Sequence, residues 1–198
     1  MGGRARDLIA ACAGALLALA LVVSSSDRGM ENLAFHMGWY DREAMNDELS
    51  ATVKEFDRQY VALFTSGGDL SYLNTIPAEN LVKRRIVQDI NKWSSQDRIL
   101  SHDRHAFVVK SVEAIRPDRG VVTTEEEWAL LMRDRTTGKR MKGQKVNRIR
   151  TRYILQRTPG GSYTAGSTKP SGGWKVAEFE VYGPSEELPP LAEYWRER

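Results

Sequence analysis

The sequence predicts an α+β fold in which two or three helices pack on a curved antiparallel sheet of about four strands, following an N-terminal membrane helix. Three observations indicate this class. An apolar run lies near the N-terminus, helix-period patterns follow it, and strand-period patterns with turn residues between them fill the second half. Because the helices precede the strands instead of alternating with them, the pattern favours an antiparallel sheet over a parallel one.

Residues 8–23 form an unbroken apolar run behind Arg4 and Arg6. As a helix this run reaches roughly 24 Å at ~1.5 Å per residue, which approaches the ~30 Å hydrocarbon core of a bilayer. Because basic residues favour the cytoplasmic side, the sequence predicts a single-pass protein of the cytoplasmic (inner) membrane with its C-terminal domain in the periplasm or an equivalent space. A signal peptide cleaved near residues 24–26 is the alternative.

Composition shifts divide the chain into predicted parts. These are a membrane anchor or signal segment at 1–26, a juxtamembrane linker at 27–40, a folded domain at 41–183 and a proline-rich tail at 184–198. Trp39 and Tyr40 in the linker either form a belt at the membrane interface or pack on the domain. In the tail, Tyr194 and Trp195 carry more apolar area than a solvated segment needs, so we expect them to dock on the domain or on a partner.

Two amphipathic helices are predicted in the first half of the domain. In residues 41–64, apolar residues recur at intervals of three and four, and glycines 67 and 68 favour a helix end there. A second helix is predicted from near Pro77 through residue 93, and a polar connection follows to residue 104. The basic triplet at 83–85 either contacts an anionic partner or forms a solvated helix face.

The second half of the domain predicts four strands with turn residues between them. The predicted strands are 107–115, 121–134, 146–157 and 174–182. The sequence at 117–120, Pro-Asp-Arg-Gly, predicts a tight turn between the first two because proline and glycine suit its backbone angles.

Alternation along the strands predicts which charged side chains share a face. Glu125 and Glu127 share one face of the second strand, and Glu178 and Glu180 share one face of the fourth. The basic residues that share one face of the third strand are Arg148, Arg150 and Arg152. Paired in chain order, these side chains form a charged recognition surface, a polar pocket floor or a solvated outer face balanced by ion pairs.

Composition and motifs argue against several functions. The formal net charge of +3, from 29 basic and 26 acidic residues, is too small to predict nucleic-acid binding. Cys12, in the apolar run, is the single cysteine. The chain has no phosphate-binding loop, dinucleotide fingerprint or zinc spacing. His102 and His105 lie close together, but metal sites need three or four ligands, so we predict no metal, no cofactor and no catalytic residue.

Residues from about 56 to 182 resemble the IMS (inter-membrane-space) domain of plastid-division proteins and their cyanobacterial relatives. The segments that carry the resemblance are residues 81–93, residues 107–115, the acidic strand at 125–128, residues 150–155 and the Gly-Gly-Trp-Lys-Val run at 172–176. The resemblance covers about two thirds of the chain. It implies a nuclear-transport-factor-2-like cone fold and a non-enzymatic module that binds a partner and is tethered by a membrane span.

We therefore predict a non-catalytic, membrane-tethered interaction module or an accessory subunit of a membrane protein complex. The membrane contact is predicted at residues 8–23, and the candidate partner contacts are Arg148, Arg150, Arg152, Tyr194 and Trp195. The alternative is a small-ligand-binding or enzymatic cone-fold protein, because such folds enclose a pocket between sheet and helices. Candidate pocket residues are Tyr60, Trp128, Tyr153 and Glu178.

Overall fold

A computed structural model describes residues 27–94, 98–134, 136–139, 141, 145–157, 173–186 and 188. The chain divides into two compact units, Met1–Arg42 and Glu43–Arg198. The predicted membrane segment at 8–23 and the candidate tail residues Tyr194 and Trp195 lie outside the described residues. Within the described part, no helix is long and apolar enough to cross a membrane.

Part of the segment predicted as a linker is helical in the first unit, where helix α1 spans Asp27–His36. Gly38 lies in the turn that follows the helix, with a φ of 77°, and donates its backbone N–H to the carbonyl of Phe35 at 3.2 Å. Phe35 is buried, and the Arg42 guanidinium lies 4.5 Å from its ring centroid. Trp39 is 73% exposed.

Helix α2 (Arg42–Thr65) carries the apolar stripe that the sequence predicts. Its buried apolar residues are Met45, Leu49, Val53, Phe56, Leu63 and Phe64. Gly67 and Gly68 end the helix with φ values of 79° and 91°, and Gly68 donates its N–H to the Leu63 carbonyl at 3.0 Å. Glycine adopts this left-handed conformation without steric cost, so the predicted helix end is confirmed.

A short 3₁₀ helix (Leu70–Asn74) leads to helix α3 (Asn80–Ser94), which begins three residues after the predicted start at Pro77. The segment before α3 pairs with the sheet instead. Ala78 forms a parallel bridge with Val176, whose N–H donates to the Pro77 carbonyl at 2.9 Å. Val176 also accepts the N–H of Glu79 at 2.9 Å, so the chain is held extended until the helix begins.

Four antiparallel strands form one sheet in the order β1-β2-β3-β4, which confirms the predicted meander. Their bounds are Arg98–Arg116, Arg119–Asp134, Lys145–Arg157 and Trp174–Tyr182. Strand β1 begins nine residues before the predicted start at Phe107, and the connection predicted up to residue 104 is therefore wrong. This polar stretch is a strand because its backbone pairs with the long second strand, from Arg98 opposite Asp134 onward.

Helix α2 packs on the sheet through apolar and polar contacts. The apolar core residues that are 0% exposed are Leu49, Val53, Leu63, Val122, Leu155 and Val176. The Asn46 side-chain oxygen accepts the Ala114 N–H at 3.0 Å, beside an irregularity in β1. Glu48 accepts hydrogen bonds from Arg157 and, at 3.1 Å, from the indole of Trp174. These contacts connect one helix to the first, third and fourth strands.

Candidate functional site

A cavity of about 400 Å³ lies between helix α2 and the sheet, where β2, β3 and β4 meet. We call it the aromatic cavity because five rings from four elements line it: Phe56, Tyr60, Trp128, Tyr153 and Phe179. Asn147, Ile149 and Thr151 of β3 and Val181 of β4 complete most of its wall. Gly183 and Pro184, which follow β4, also line it.

Local periodicity brings the rings together. Phe56 and Tyr60 are four residues apart on α2, so they lie on one helix face, with stacked rings and centroids 5.9 Å apart. Register places Tyr153 opposite Phe179, and both rings reach Phe56, at centroid distances of 5.7 and 5.8 Å. Tyr60 meets Trp128 edge to face at 6.3 Å. The result is an apolar wall with few polar groups.

Glu126 is the one carboxylate among the described residues that line the cavity, and it is 4% exposed. Its Oε1 accepts the hydroxyls of Thr124 at 2.6 Å and Tyr153 at 2.9 Å, and its Oε2 accepts the Trp128 indole N–H at 2.7 Å. A buried carboxylate needs such donors to offset its lost hydration. Both oxygens are therefore engaged by the protein itself.

Tyr60 is the second polar group in the wall that could act chemically. Burial, followed by the negative charges of Asp89 and Glu126, raises the pKa of its phenol well above the ordinary value. The raised pKa favours the protonated phenol, which can donate a hydrogen bond.

The candidate pocket residues from the sequence fall in two places. Tyr60, Trp128 and Tyr153 line the aromatic cavity. Glu178 does not, because it immediately precedes Phe179 in β4 and so projects to the opposite face of the sheet. Sequence reasoning missed Glu126, although its position two residues before Trp128 already placed both on one strand face.

The candidate arginines of β3 lie opposite acidic residues. Register pairs Glu127 with Arg148, Glu125 with Arg150 and Arg152 with Glu180. Arg148 is also among the residues that line the aromatic cavity, at its edge, although its side chain lies on the opposite strand face, where its Nε donates to Glu127 at 2.9 Å. Because each guanidinium faces a carboxylate-bearing residue across the strands, this face is close to charge-balanced.

The other two candidate arginines of β3 differ from Arg148 in burial and contacts. Arg150 donates to the backbone carbonyl of Glu186, just beyond β4. Arg152 is 4% exposed and lies 5.8 Å from the ring centroid of Tyr182. Tyr182 donates its hydroxyl to Glu180, and burial with this hydrogen bond raises the pKa of Tyr182 to about 12. Only Arg148 thus combines exposure with a position on the cavity rim.

Metal ligands converge nowhere among the described residues, where no group of three or more His, Cys, Asp or Glu side chains could hold an ion. His102 and His105 belong to β1, but their side chains lie outside the described part of the chain.

The sequence matches no known protein family and no curated protein. Among solved structures, the crystal structure of the intermembrane space region of chloroplast protein ARC6 matches with a TM-score of 0.54 and 14% sequence identity. The match covers 70% of this chain and 96% of that one. At this identity the likeness concerns the fold. The resemblance predicted from the sequence is confirmed at that level: this chain is structurally similar to the intermembrane space region of ARC6.

Proposed function

We propose that the domain at 41–183 is a non-catalytic module that binds a protein partner at the aromatic cavity and its rim. In this proposal, residues 8–23 tether it to the cytoplasmic membrane, and the domain faces the periplasm or an equivalent space. The apolar run behind Arg4 and Arg6 supports the tether. Fold similarity to a domain of an intermembrane space supports the non-cytoplasmic side.

The observation that carries the proposal is the state of Glu126. Both oxygens of Glu126 already accept hydrogen bonds from Thr124, Trp128 and Tyr153, which supports a structural role for this carboxylate. The rest of the described wall is mostly aromatic and aliphatic and so offers shape and apolar area. These are the properties of a recognition surface.

The rim of the cavity has the composition of a protein interface. Val181 is 54% exposed at the wall, Ile149 is half-buried beside it, and the exposed Arg148 lies at the border. Interface centres are apolar and aromatic, and their margins are polar with frequent arginine. Arg150, Arg152, Tyr194 and Trp195 remain proposed partner contacts.

A charge placed in the wall tests the proposal. Val181→Arg introduces a cation at an exposed position of the cavity, and Leu81→Arg is the matched control because Leu81 is 68% exposed on α3 and does not line the cavity. We expect the full-length protein and the control to capture the same membrane protein in cross-linked, detergent-solubilised membranes. The Val181 variant should lose it at an unchanged melting temperature. Equal capture by both variants would overturn the proposed site.

A small ligand is the second candidate function, favoured by the cavity volume of about 400 Å³. Small-molecule sites are mostly apolar and begin at about 300 Å³. A thermal-shift screen with apolar compounds distinguishes the two functions. A ligand that raises the melting temperature of the wild type but not of Val181→Arg, together with failed partner capture, would favour this reading.

A further inference from the structure

We infer that the C-terminal tail, residues 188–195, is an internal ligand of the aromatic cavity and binds it as an extended polyproline-type segment. Tail and partner would then compete for one surface. This competition rests on the proposed function, whereas occupancy of the cavity by the tail does not.

The tail starts at the rim of the cavity. Gly183 and Pro184 line it, and the next residues form a turn in which Glu186 donates its N–H to the Gly183 carbonyl at 3.2 Å. The Glu186 carboxylate accepts the Gly183 N–H at 2.5 Å, and Arg150 donates to the Glu186 carbonyl. Hydrogen bonds therefore hold both Gly183 and Glu186, the two ends of the turn. Leu188, two residues later, is half-buried.

The tail sequence favours one conformation. Pro189 and Pro190 fix their own φ angles, and a residue before proline is restricted to extended geometry. The polyproline II helix has three residues per turn and rises about 3.1 Å per residue. Leu188, Leu191 and Tyr194 are spaced by three, so this helix would place all of them on one face over roughly 19 Å.

The cavity offers the surface that such a segment binds. Proline-rich segments dock into grooves lined by aromatic rings, because their conformation is preformed and little entropy is lost. Five rings line this cavity. The short connection from Glu186 to Leu188 keeps the tail at an effective concentration of roughly millimolar, so weak contacts suffice. Glu193 also gives the tail a negative charge, and Arg148, which pairs with Glu127, is an exposed cation at the cavity edge.

Disulfide trapping tests the contact in the full chain. In a Cys12→Ser background in detergent, Val181→Cys combined with Leu191→Cys should cross-link within one chain at least ten times faster than Leu81→Cys combined with Leu191→Cys. The control position is exposed on α3, away from the cavity. Equal cross-linking rates for the two cysteine pairs would mean that the tail contacts the protein surface without preferring the cavity. Cross-linked dimers whose yield falls on dilution would identify a second copy as the occupant. Either result overturns the inference.

A second measurement does not depend on engineered thiols. We expect truncation after Glu186, which keeps the turn, to raise the fluorescence of 1-anilinonaphthalene-8-sulfonate several-fold by opening the cavity. A synthetic peptide of residues 187–198 should reverse the rise, and the same peptide with glycine at 189 and 190 should be much weaker. Unchanged fluorescence on truncation would contradict the inference.

The two proposals can fail separately. If truncation opens the cavity but neither form captures a partner, the proposed function fails and the tail inference stands. If partner capture depends on Val181 but is the same with and without the tail, the inferred competition fails and the proposed function stands.

Discussion

At the scale of single residues, Glu126 determines the polarity of the cavity wall. Three donors from β2 and β3 converge on it, so its replacement leaves buried hydrogen-bonding groups without their acceptor. An unsatisfied buried polar group costs about 1–3 kcal/mol. We expect Glu126→Gln to lower the free energy of unfolding by about that amount. The amide keeps one acceptor oxygen for three donors, and its NH2 group faces either the Trp128 indole, which cannot accept, or the Thr124 and Tyr153 hydroxyls, which lose their hydrogen bonds to a charged acceptor.

Urea denaturation measures this change, and the adjacent Glu125→Gln provides the control. Glu125 is exposed and pairs with Lys110 at 3.1 Å, so its replacement should change stability by about 0.5 kcal/mol or less. Equal losses in the two variants would show that the buried hydrogen bonds of Glu126 contribute nothing specific.

Much of this site could be predicted at the level of strand faces. Alternation placed Trp128 on one face and Glu125 with Glu127 on the other, as the register has them. The burial of the Glu126 side chain could not be predicted, because it depends on how α2 packs over the sheet. Alternation in β4 separates Glu178 from Phe179, but it does not tell which of the two faces looks toward the helices, so the sequence alone keeps Glu178 among the pocket candidates.

At the scale of secondary-structure elements, Gly120 sets how closely α2 approaches β2. A Cβ atom there would lie 2.4 Å from Leu49 Cδ1, and Leu49 is fully buried. We expect Gly120→Ala to destabilise the domain by about 1–3 kcal/mol, as overpacking does. Gly173→Ala is the matched control, because an added Cβ at Gly173 meets no heavy atom within 4 Å.

A double-variant cycle shows whether the effect comes from this contact. Leu49→Ala alone should cost about 2–5 kcal/mol by leaving a cavity. Combined with Gly120→Ala it should cost less than the sum of the single changes, because the new methyl group then has room. Additive costs in thermal unfolding would indicate that Gly120 acts through its backbone instead.

The surface of α2 contributes a pH-dependent part of stability. Arg58 and Gln59 donate to Glu55, and these hydrogen bonds, with that of Arg58 the larger cause, lower the Glu55 pKa from 4.5 to about 2. A carboxylate with a depressed pKa stabilises the fold above its ordinary pKa, and this contribution is lost as the pH falls through the folded value. Glu55→Gln should therefore flatten the decline of unfolding free energy between about pH 4.5 and 2.

Denaturation at a series of pH values tests the Glu55 prediction. Arg58→Leu should flatten the same range, and combining both changes should add little, because they remove one interaction. An unchanged slope in Glu55→Gln would show that the exposed hydrogen bonds do not persist in solution.

At the scale of the whole molecule, the α+β class, the meander and the helix end at Gly67 could be predicted because period and turn residues are local signals. The early start of β1 could not. Its first residues have no apolar alternation, and only pairing with the end of β2 makes them a strand. The start of α3 was also missed, since the extended segment at Pro77 is held by a distant partner, Val176.

Membrane attachment is a predicted property of the whole chain. We expect the full-length protein to remain in the membrane fraction after an alkaline carbonate wash, and a variant lacking residues 1–26 to become extractable. An alkaline phosphatase fused after Arg198 should be active, because this enzyme becomes active only when it has been carried across the membrane. A mature protein that begins near residue 27 and needs no detergent would instead identify a cleaved signal peptide.

The sheet topology also predicts the order in which parts of the domain fold. Every strand pairs with its neighbour in the chain, and only Pro117 and Asp118 separate β1 from β2, so closing this hairpin costs little loop entropy. The contacts that Glu48 makes with Arg157 and Trp174 instead bridge 109 and 126 residues. Contacts of such high sequence separation slow folding, which suggests a nucleus in the first hairpin and late docking of the helix. The face that holds the aromatic cavity would then be the last part of the domain to close.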